Sequence, residues 1–140
     1  MEYRVSVSKA SVMEEVYQIT GYTGVKNSDM DKLTSTEDDS SLLLSFYREA
    51  TSSLSDEVSR VGYLLGESDS TSTFLFNLPS NWNTGMERSL AKAMAQYVVN
   101  YVCAKWFSLT KKDETQQYQG VCQQLAVSIL KYLYERKKPR

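Results

Sequence analysis

Apolar and polar residues alternate at the start of the chain. Tyr3, Val5 and Val7 are separated by Arg4 and Ser6. A period of two is typical of a strand with one buried face and one exposed face. The sequence therefore predicts a short half-buried strand at the amino-terminal end.

The spacing then changes to that of a helix. Ser11 followed by Glu14 forms a capping box, which predicts a helix start at this point. One apolar face follows at three- and four-residue steps: Val12, Val16 and Ile19. Gly21 and Gly24 predict the end of this helix. Residues 25–35 are polar and aperiodic, and they predict a mobile loop.

A second helix is predicted from Thr36. Its hydroxyl can cap free N–H groups, while Glu37, Asp38 and Asp39 lie at the positive end of the helix dipole. Apolar residues then recur at helical steps as far as Val61: Leu43, Phe46, Tyr47, Ala50, Leu54 and Val58. Capping explains the acidic cluster better than a metal site, because no motif with the spacing of cation ligands is present.

Residues 62–79 carry the signature of a β-hairpin. Two apolar, β-prone runs flank a Gly/Ser/Asp-rich tip at residues 67–72. On the second run the alternating positions are Ser72, Phe74, Phe76 and Leu78. The amino-terminal strand is a possible third member of this sheet.

Two further helices follow the hairpin. Thr84 and Glu87 form another capping box ahead of a segment that is apolar around nearly its whole circumference. A helix of this kind is central in a core or partly covered by another subunit. It keeps one narrow polar strip: Lys92, Gln96, Asn100 and Lys105.

A polar break at residues 110–113 precedes the last helix. Its amphipathic stripe consists of Tyr118, Val121, Cys122, Leu125, Ile129, Tyr132 and Leu133. The predicted fold class is mainly α, a helical bundle of about four helices with a small β-hairpin or short sheet. We expect a single domain over residues 1–140 that ends in a basic tail at 136–140, and we place Leu54, Tyr97 and Leu125 on inward-facing stripes.

The composition limits the chemistry that the chain can perform. Histidine is absent from the 140 residues, which removes the commonest general base and the commonest metal ligand. Phosphate-binding glycine motifs are also absent. Cys103 and Cys122 lie in apolar stretches without a CxxC pattern and are expected to be buried. We therefore predict no enzyme activity, no catalytic residue, no cofactor, no metal and no small-molecule substrate.

No stretch of the sequence predicts a targeting or membrane-spanning segment. The first residues lack the apolar run of a signal peptide, and no window approaches the roughly 20 apolar residues that span a bilayer. We expect a cytoplasmic protein without membrane contact.

Charge is unevenly distributed although the formal net charge is −1. Residues 1–80 contain 6 Lys+Arg and 13 Asp+Glu, whereas residues 81–140 contain 10 Lys+Arg and 4 Asp+Glu. A bipolar subunit can associate front to back with its copies, as a homo-oligomer. Alternatively, the two parts neutralise each other within one folded chain. The charged candidates for a front-to-back contact are Glu37, Asp38, Asp39, Arg136, Lys137 and Lys138.

Aromatic residues are a second class of interface candidate. The chain has ten tyrosines and two tryptophans, whose amphipathic rings are favoured at protein interfaces but also fill cores. The candidates are Tyr97, Tyr101, Trp106, Tyr132 and Tyr134. The basic end beside the last two could make non-specific contact with DNA phosphates. Capping of the helix dipole together with solubility explains it better, and a pI near 5.5 argues against a dedicated DNA-binding protein.

Several segments resemble the small head–tail connector (adaptor or neck) proteins of tailed bacteriophages and prophages. The likeness covers about residues 10–139 and lies in the element order, in the helices TEDDSSLLLSFYREATSSL and MERSLAKAMAQYVVNYVCAKWFSL, and in the segments EVYQITGYTG, KWFSLTKKDE and YERKKP. The resemblance implies a ring of identical subunits between the portal and the tail, without catalytic residues or cofactor. It also implies a location in the bacterial cytoplasm during assembly and in the virion afterwards.

The chain departs from the minimal connector pattern in its amino-terminal strand and helix and in residues 25–35. A tail-completion or neck protein therefore remains open, as does the portal or tail component that the chain contacts. Two other functions also stay open: a cytoplasmic helical adaptor for one partner protein, and a DNA-binding regulator that uses the basic tail.

Overall fold

The computed structural model describes residues 2–26 and 40–137. In chain order the elements are β1 (Glu2–Ser8), α1 (Lys9–Lys26), α2 (Ser40–Glu57), β2 (Gly62–Glu67), β3 (Thr71–Asn77), α3 (Glu87–Thr110) and α4 (Lys112–Tyr134). A short 3-10 helix, Thr84–Met86, precedes α3. The predicted fold class is confirmed: the described chain is mainly α, with four helices and a small sheet. None of the helices in these ranges is both long enough and apolar enough to cross a bilayer.

The sheet has three antiparallel strands in the order β1-β3-β2. Val5 lies opposite Phe74 in the first pairing, and Leu64 lies opposite Phe74 in the second. Alternate residues of β1 and β3 face the core, where Val7 lies opposite the buried Ser72. The amino-terminal strand, the hairpin and the third-member hypothesis are all confirmed, because the period of two correctly marked the buried face.

Helix α3 is the centre of the core. It packs against α1, α2, α4 and β1, and its buried residues include Leu90, Met94, Val98, Val102, Cys103 and Phe107. The polar strip predicted on α3 joins it to neighbouring helices. Gln96 donates to Glu15 of α1 at 2.7 Å, and Lys105 pairs with Glu49 of α2 at 3.1 Å. Asn100 of this strip is buried, and its side-chain amide donates to the Gln96 carbonyl oxygen at 2.8 Å.

Helix α1 has different ends from those predicted. It begins at Lys9, directly after β1, and the Ser8 hydroxyl accepts a hydrogen bond from the Ser11 N–H at 3.3 Å. Ser8 is therefore the capping residue, and Ser11 lies inside the first turn. The helix continues through both predicted stop positions to Lys26. A glycine in a helix costs about 1 kcal/mol but does not by itself end the helix.

Helix α3 is also capped differently from the prediction. The Asn83 side chain accepts from the Gly85 N–H at 3.0 Å and caps the 3-10 helix, while Met86 precedes α3 without a side-chain cap. The Thr84–Glu87 capping box was therefore wrong, because the chain first makes a tighter turn. The predicted break at 110–113 is reduced to Lys111 between α3 and α4.

Helix α2 follows its predicted stripe. Leu43, Tyr47, Ala50, Leu54 and Val58 are buried, although the helix ends at Glu57 and the next residues form turns. Several predicted features lie outside the described residues: Thr36, Glu37, Asp38, Asp39, most of the 25–35 loop, Lys138 and Pro139.

The core assignment yields a graded test of stability. Leu54 is fully buried, whereas Leu125 is only partly buried, which corrects its predicted inward position. We expect Leu54→Ala to lower the free energy of unfolding by about 2–5 kcal/mol. Leu125→Ala should lower it by less than about 2 kcal/mol, because less of the Leu125 side chain is buried and its removal leaves a smaller cavity. Urea unfolding followed by circular dichroism measures both. Equal losses for the two variants would contradict this packing.

Two glycines provide a second test of stability, in which one substitution should stabilise the fold and the other should destabilise it. A Cβ at Gly120 of α4 would meet no atom within 4 Å, whereas a Cβ at Gly62 would overlap the Phe76 ring and the Leu75 carbonyl oxygen. We expect Gly120→Ala to raise the free energy of unfolding by about 0.5–1 kcal/mol through helix propensity. Gly62→Ala should lower it by about 1–3 kcal/mol through overpacking. Thermal and urea unfolding measure both changes. Unfolding midpoints that shift in the same direction for the two variants would contradict the prediction.

Candidate protein-binding groove

Helices α2 and α4 both pack near α3 and leave a groove between them, which we call the α2–α4 groove. It consists of two depressions of about 410 and 400 Å³ that share Glu57. In the first, Tyr97, Tyr101, Ala104, Cys122 and Ala126 form the floor, and Glu57, Lys105, Ser108, Gln119 and Gln123 form the rim. The second is lined by Asp56, Ser59, Arg60, Leu130 and Tyr134.

The floor of the groove has its polar atoms paired within the chain. The Tyr97 hydroxyl shares a hydrogen bond of 2.9 Å with Ser53, and the Cys122 thiol donates to the Tyr97 carbonyl oxygen at 3.4 Å. The rings of Tyr97 and Tyr101 stack with their centroids 6.2 Å apart. These contacts fix the floor, which therefore offers mainly apolar ring and methyl surface to a ligand.

Glu49 of α2 contacts two residues of the groove lining. Its carboxylate accepts from the Tyr101 hydroxyl at 3.1 Å and pairs with Lys105 at 3.1 Å. The Lys105 ammonium also lies 5.7 Å from the centroid of the Tyr101 ring. The ion pair is well exposed, so it contributes little stability, but it holds the ends of these side chains at the rim.

The pKa values around the groove are shifted away from reactivity. Burial raises the pKa of both cysteine thiols to about 12, and for Cys103 the charge of Glu15 adds to that effect. Burial also raises the pKa of Tyr97, and it raises that of Tyr101 to about 12 together with the hydrogen bond and charge of Glu49. At neutral pH these groups remain protonated and are poor nucleophiles. Within residues 2–26 and 40–137, no three acidic or cysteine side chains come together to hold a metal ion.

The carboxyl-terminal end of α4 is clamped to the segment before α3. The Asn83 N–H donates to the Glu135 carbonyl oxygen at 3.0 Å, and the Lys137 N–H donates to the Asn81 carbonyl oxygen at 2.8 Å. Trp82, which is fully buried, donates from its indole N–H to the Tyr132 carbonyl oxygen at 2.9 Å. We call these contacts the terminal clamp.

The terminal clamp also fixes the role of Arg136. Its guanidinium donates to the carbonyl oxygens of Leu133 and Glu135 at 3.1 and 3.2 Å. A cation on the last carbonyls of a helix is the capping arrangement that the sequence predicted for the basic end. This guanidinium is therefore engaged within the chain, whereas Lys137 is exposed.

The aromatic interface candidates separate into two groups. Tyr97 and Trp106 are only 4% and 3% exposed. Tyr97 still contributes to the floor of the groove, whereas Trp106 lines neither depression. Tyr101 and Tyr134 do line the groove, and Tyr132 is partly buried beneath the terminal clamp.

Sequence reasoning missed the residues that form the groove rim. Gln119 and Gln123 belong to a glutamine-rich exposed face of α4, which also includes Gln116, Gln117 and Gln124. That run was a signal of an uncharged polar surface. It could not show which glutamines face α2, because the separation of two helices is set by the packing of both on a third.

Comparison of the chain with protein-family models, curated proteins and solved structures gives no match.

The raised pKa of Tyr101 predicts how stability depends on pH. The pKa is about 12 in the folded chain and about 10 for an unfolded tyrosine. Its contribution to the free energy of unfolding should be complete below pH 10 and lost as the pH rises towards 12, because only the unfolded state releases this proton in that range. We expect Tyr101→Phe to lose less stability than the wild type between these pH values.

Urea unfolding at pH 9 and at pH 11 measures this difference. Ultraviolet absorbance of phenolate should also show one late-titrating tyrosine fewer in Tyr101→Phe than in the wild type. Parallel stability losses in the two proteins would show that the Tyr101 hydroxyl is not protected in the fold.

Proposed function

We propose that this chain is a non-enzymatic structural subunit, of the head–tail connector class, that assembles through protein–protein contacts at the α2–α4 groove. The observation that carries the proposal is the groove itself, two adjoining depressions with an aromatic and aliphatic floor and a polar, partly charged rim. Surfaces with Tyr-rich centres and polar rims suit protein partners.

The dimensions of the groove favour a helix as its occupant. Its lining on α4 extends from Gln119 to Tyr134, a distance of about 24 Å at 1.5 Å per residue. A helix of about four turns has that length and would present apolar residues at three- and four-residue steps. In the proposed assembly this helix belongs to a neighbouring subunit or to a portal or tail component.

Exposed apolar side chains border the groove. Val127 follows Ala126 of the floor and is 68% exposed, and Leu109 follows Ser108 of the rim and is 65% exposed. Single exposed apolar residues are ordinary on a protein surface. Neither residue lines one of the two depressions, so a partner would bury them only if it extended beyond the groove.

The reactive groups of the chain support binding better than catalysis. The groove lining contains no histidine, and the thiol in its floor has a pKa of about 12. The DNA-binding alternative has less support, since the Arg136 guanidinium is engaged with carbonyl oxygens of its own helix end. The uneven charge of the two parts of the chain would act on the rate and salt dependence of subunit association more than on its strength.

Two neighbouring glutamines of α4 provide a matched test of the groove. Gln123 lies on the rim and Gln124 does not, and both are exposed. We expect Gln123→Arg to weaken assembly at least tenfold, because it introduces a long charged side chain into a surface that a partner would desolvate. Gln124→Arg should assemble like the wild type. Native mass spectrometry and light scattering over a range of concentrations measure the effect.

Circular dichroism and urea unfolding provide the folding control for both variants. Comparing two variants with the same change in charge and volume separates a groove effect from a general effect of charge. Equal assembly of the two variants, or a wild type that stays monomeric at every concentration, would count against a groove-mediated homo-oligomer.

A further inference from the structure

The two edges of the sheet are treated differently by the fold. At the β2 edge, the Leu64 N–H donates to the Ser55 hydroxyl of α2 at 3.0 Å. The same strand has a register shift between Leu64 and Gly66, which interrupts the edge. Side-chain cover and bulges are two devices by which proteins prevent edge strands from pairing with other chains.

The β1 edge has neither device. Its pairing with β3 is continuous from Glu2 to Ser8, without a bulge or a proline. In β3, the Asn77 N–H donates to the carbonyl oxygen of Val61, on the β2 side of the strand. Backbone groups point to opposite sides at successive residues of a strand, so Phe74, three residues earlier, bonds to β1. Val5 accordingly directs its backbone groups towards β3.

The neighbours of Val5 direct their backbone groups the other way. By the same alternation, the N–H and C=O groups of Arg4 and Ser6 point away from the sheet. Both residues are exposed, and no other backbone group among residues 2–26 and 40–137 bonds to them. Within the described part of the chain, the β1 edge is thus a hydrogen-bonding template without a partner strand.

A small depression lies beside this edge. A depression of about 190 Å³ lies between β1, α1 and α3 and is lined by Ser6, Val7, Val12, Glu15, Gln96 and Val99. Glu15 and Gln96 are already bonded to each other. The rest of the lining combines small apolar residues with the serines at positions 6, 8 and 11, so it can accept small core-facing side chains of an added strand.

We propose that the β1 edge binds β1 of a second copy of this chain, antiparallel, with the two-fold axis at Val5. Arg4 of one copy then lies opposite Ser6 of the other, and each such pair exchanges both backbone hydrogen bonds. The three-stranded sheet continues across the axis into the sheet of the second copy. This contact is a homodimer interface separate from the α2–α4 groove and goes beyond the proposed function.

The sequence of β1 is complementary to itself in this register, which is why we assign the edge to a second copy. Tyr3 lies opposite Val7 and Val5 opposite Val5 on the core-facing side, while Glu2 lies opposite Ser8 on the other. Every apolar residue therefore meets an apolar residue, and no like charges lie directly opposite. An axis at Arg4 would oppose two arginines, and an axis at Ser6 would shorten the paired segment.

Cysteine pairs test the register directly. In the proposed dimer the Cα atoms of positions 4 and 6 in opposite copies lie about 5.5 Å apart, within the range of a disulfide. A mixture of Arg4→Cys and Ser6→Cys should form a cross-linked heterodimer on mild oxidation, and neither variant alone should. Gln124→Cys, on an exposed face of α4, gives the background rate of random cross-linking. The native cysteines are buried and do not compete.

Cross-linking of Arg4→Cys or Ser6→Cys alone above that background would place the axis elsewhere and overturn the proposal. So would a mixture that cross-links no faster than Gln124→Cys. Neither result concerns the groove, which is tested separately by Gln123→Arg and Gln124→Arg.

A proline at the edge provides an independent test. Ser6→Pro removes an N–H that points away from β3, so the sheet within one copy should persist while the edge is blocked. It also removes the Ser6 hydroxyl contact with Thr73 at 3.3 Å, which Ser6→Ala removes equally. We expect light scattering of Ser6→Pro in the Gln123→Arg background to give the 16.0 kDa monomer, and Ser6→Ala in the same background to give a dimer. A folded Ser6→Pro protein that still dimerises would overturn the proposal. If that variant unfolds, the cysteine mixture decides.

Discussion

The apolar circumference of α3 is the constraint on which the rest of the structure depends. An isolated helix with this sequence would expose apolar side chains on nearly every side, so each face needs a cover. Helices α1, α2 and α4 and strand β1 supply it. The polar positions of α3 are used to attach these covers, as in the contacts of Gln96 with Glu15 and of Lys105 with Glu49.

Both candidate interaction surfaces are places where this cover is incomplete. The α2–α4 groove lies where two helices contact α3 without closing over it, and the depression beside β1 lies where α1 and the sheet edge diverge. In each place α3 supplies part of the lining, through Tyr97 and Tyr101 in the first and Val99 in the second. A partner at either position would continue the covering that the chain itself begins.

Periodic patterns predicted the fold because they report directly on which face is buried. The alternation of Val5 and Val7 located β1, and the stripe through Leu43, Tyr47 and Leu54 located α2. Helix ends were predicted less well. The caps at Ser8 and Asn83 depend on the residue at which the preceding strand or turn ends. A local motif such as Ser11 with Glu14 does not contain that information.

The candidate groove was only partly predictable for a similar reason. Tyr101 and Tyr134 were predicted from the sequence as aromatic interface residues and are at least partly exposed. Tyr97 and Trp106 were candidates on the same grounds, but they are buried. Whether a ring on α3 faces solvent depends on the distance between α2 and α4, which no single segment encodes. The rim glutamines were overlooked because their role appears only when α2 is placed opposite them.

The terminal clamp has a mechanical consequence for α4. A helix joined to its neighbour at Lys111 alone would behave as a lever that swings about one pivot. Hydrogen bonds from Trp82, Asn83 and Lys137 attach the opposite end as well, so both ends of α4 are fixed. The wall of the groove is therefore rigid before any partner arrives, and binding need not spend free energy on ordering it.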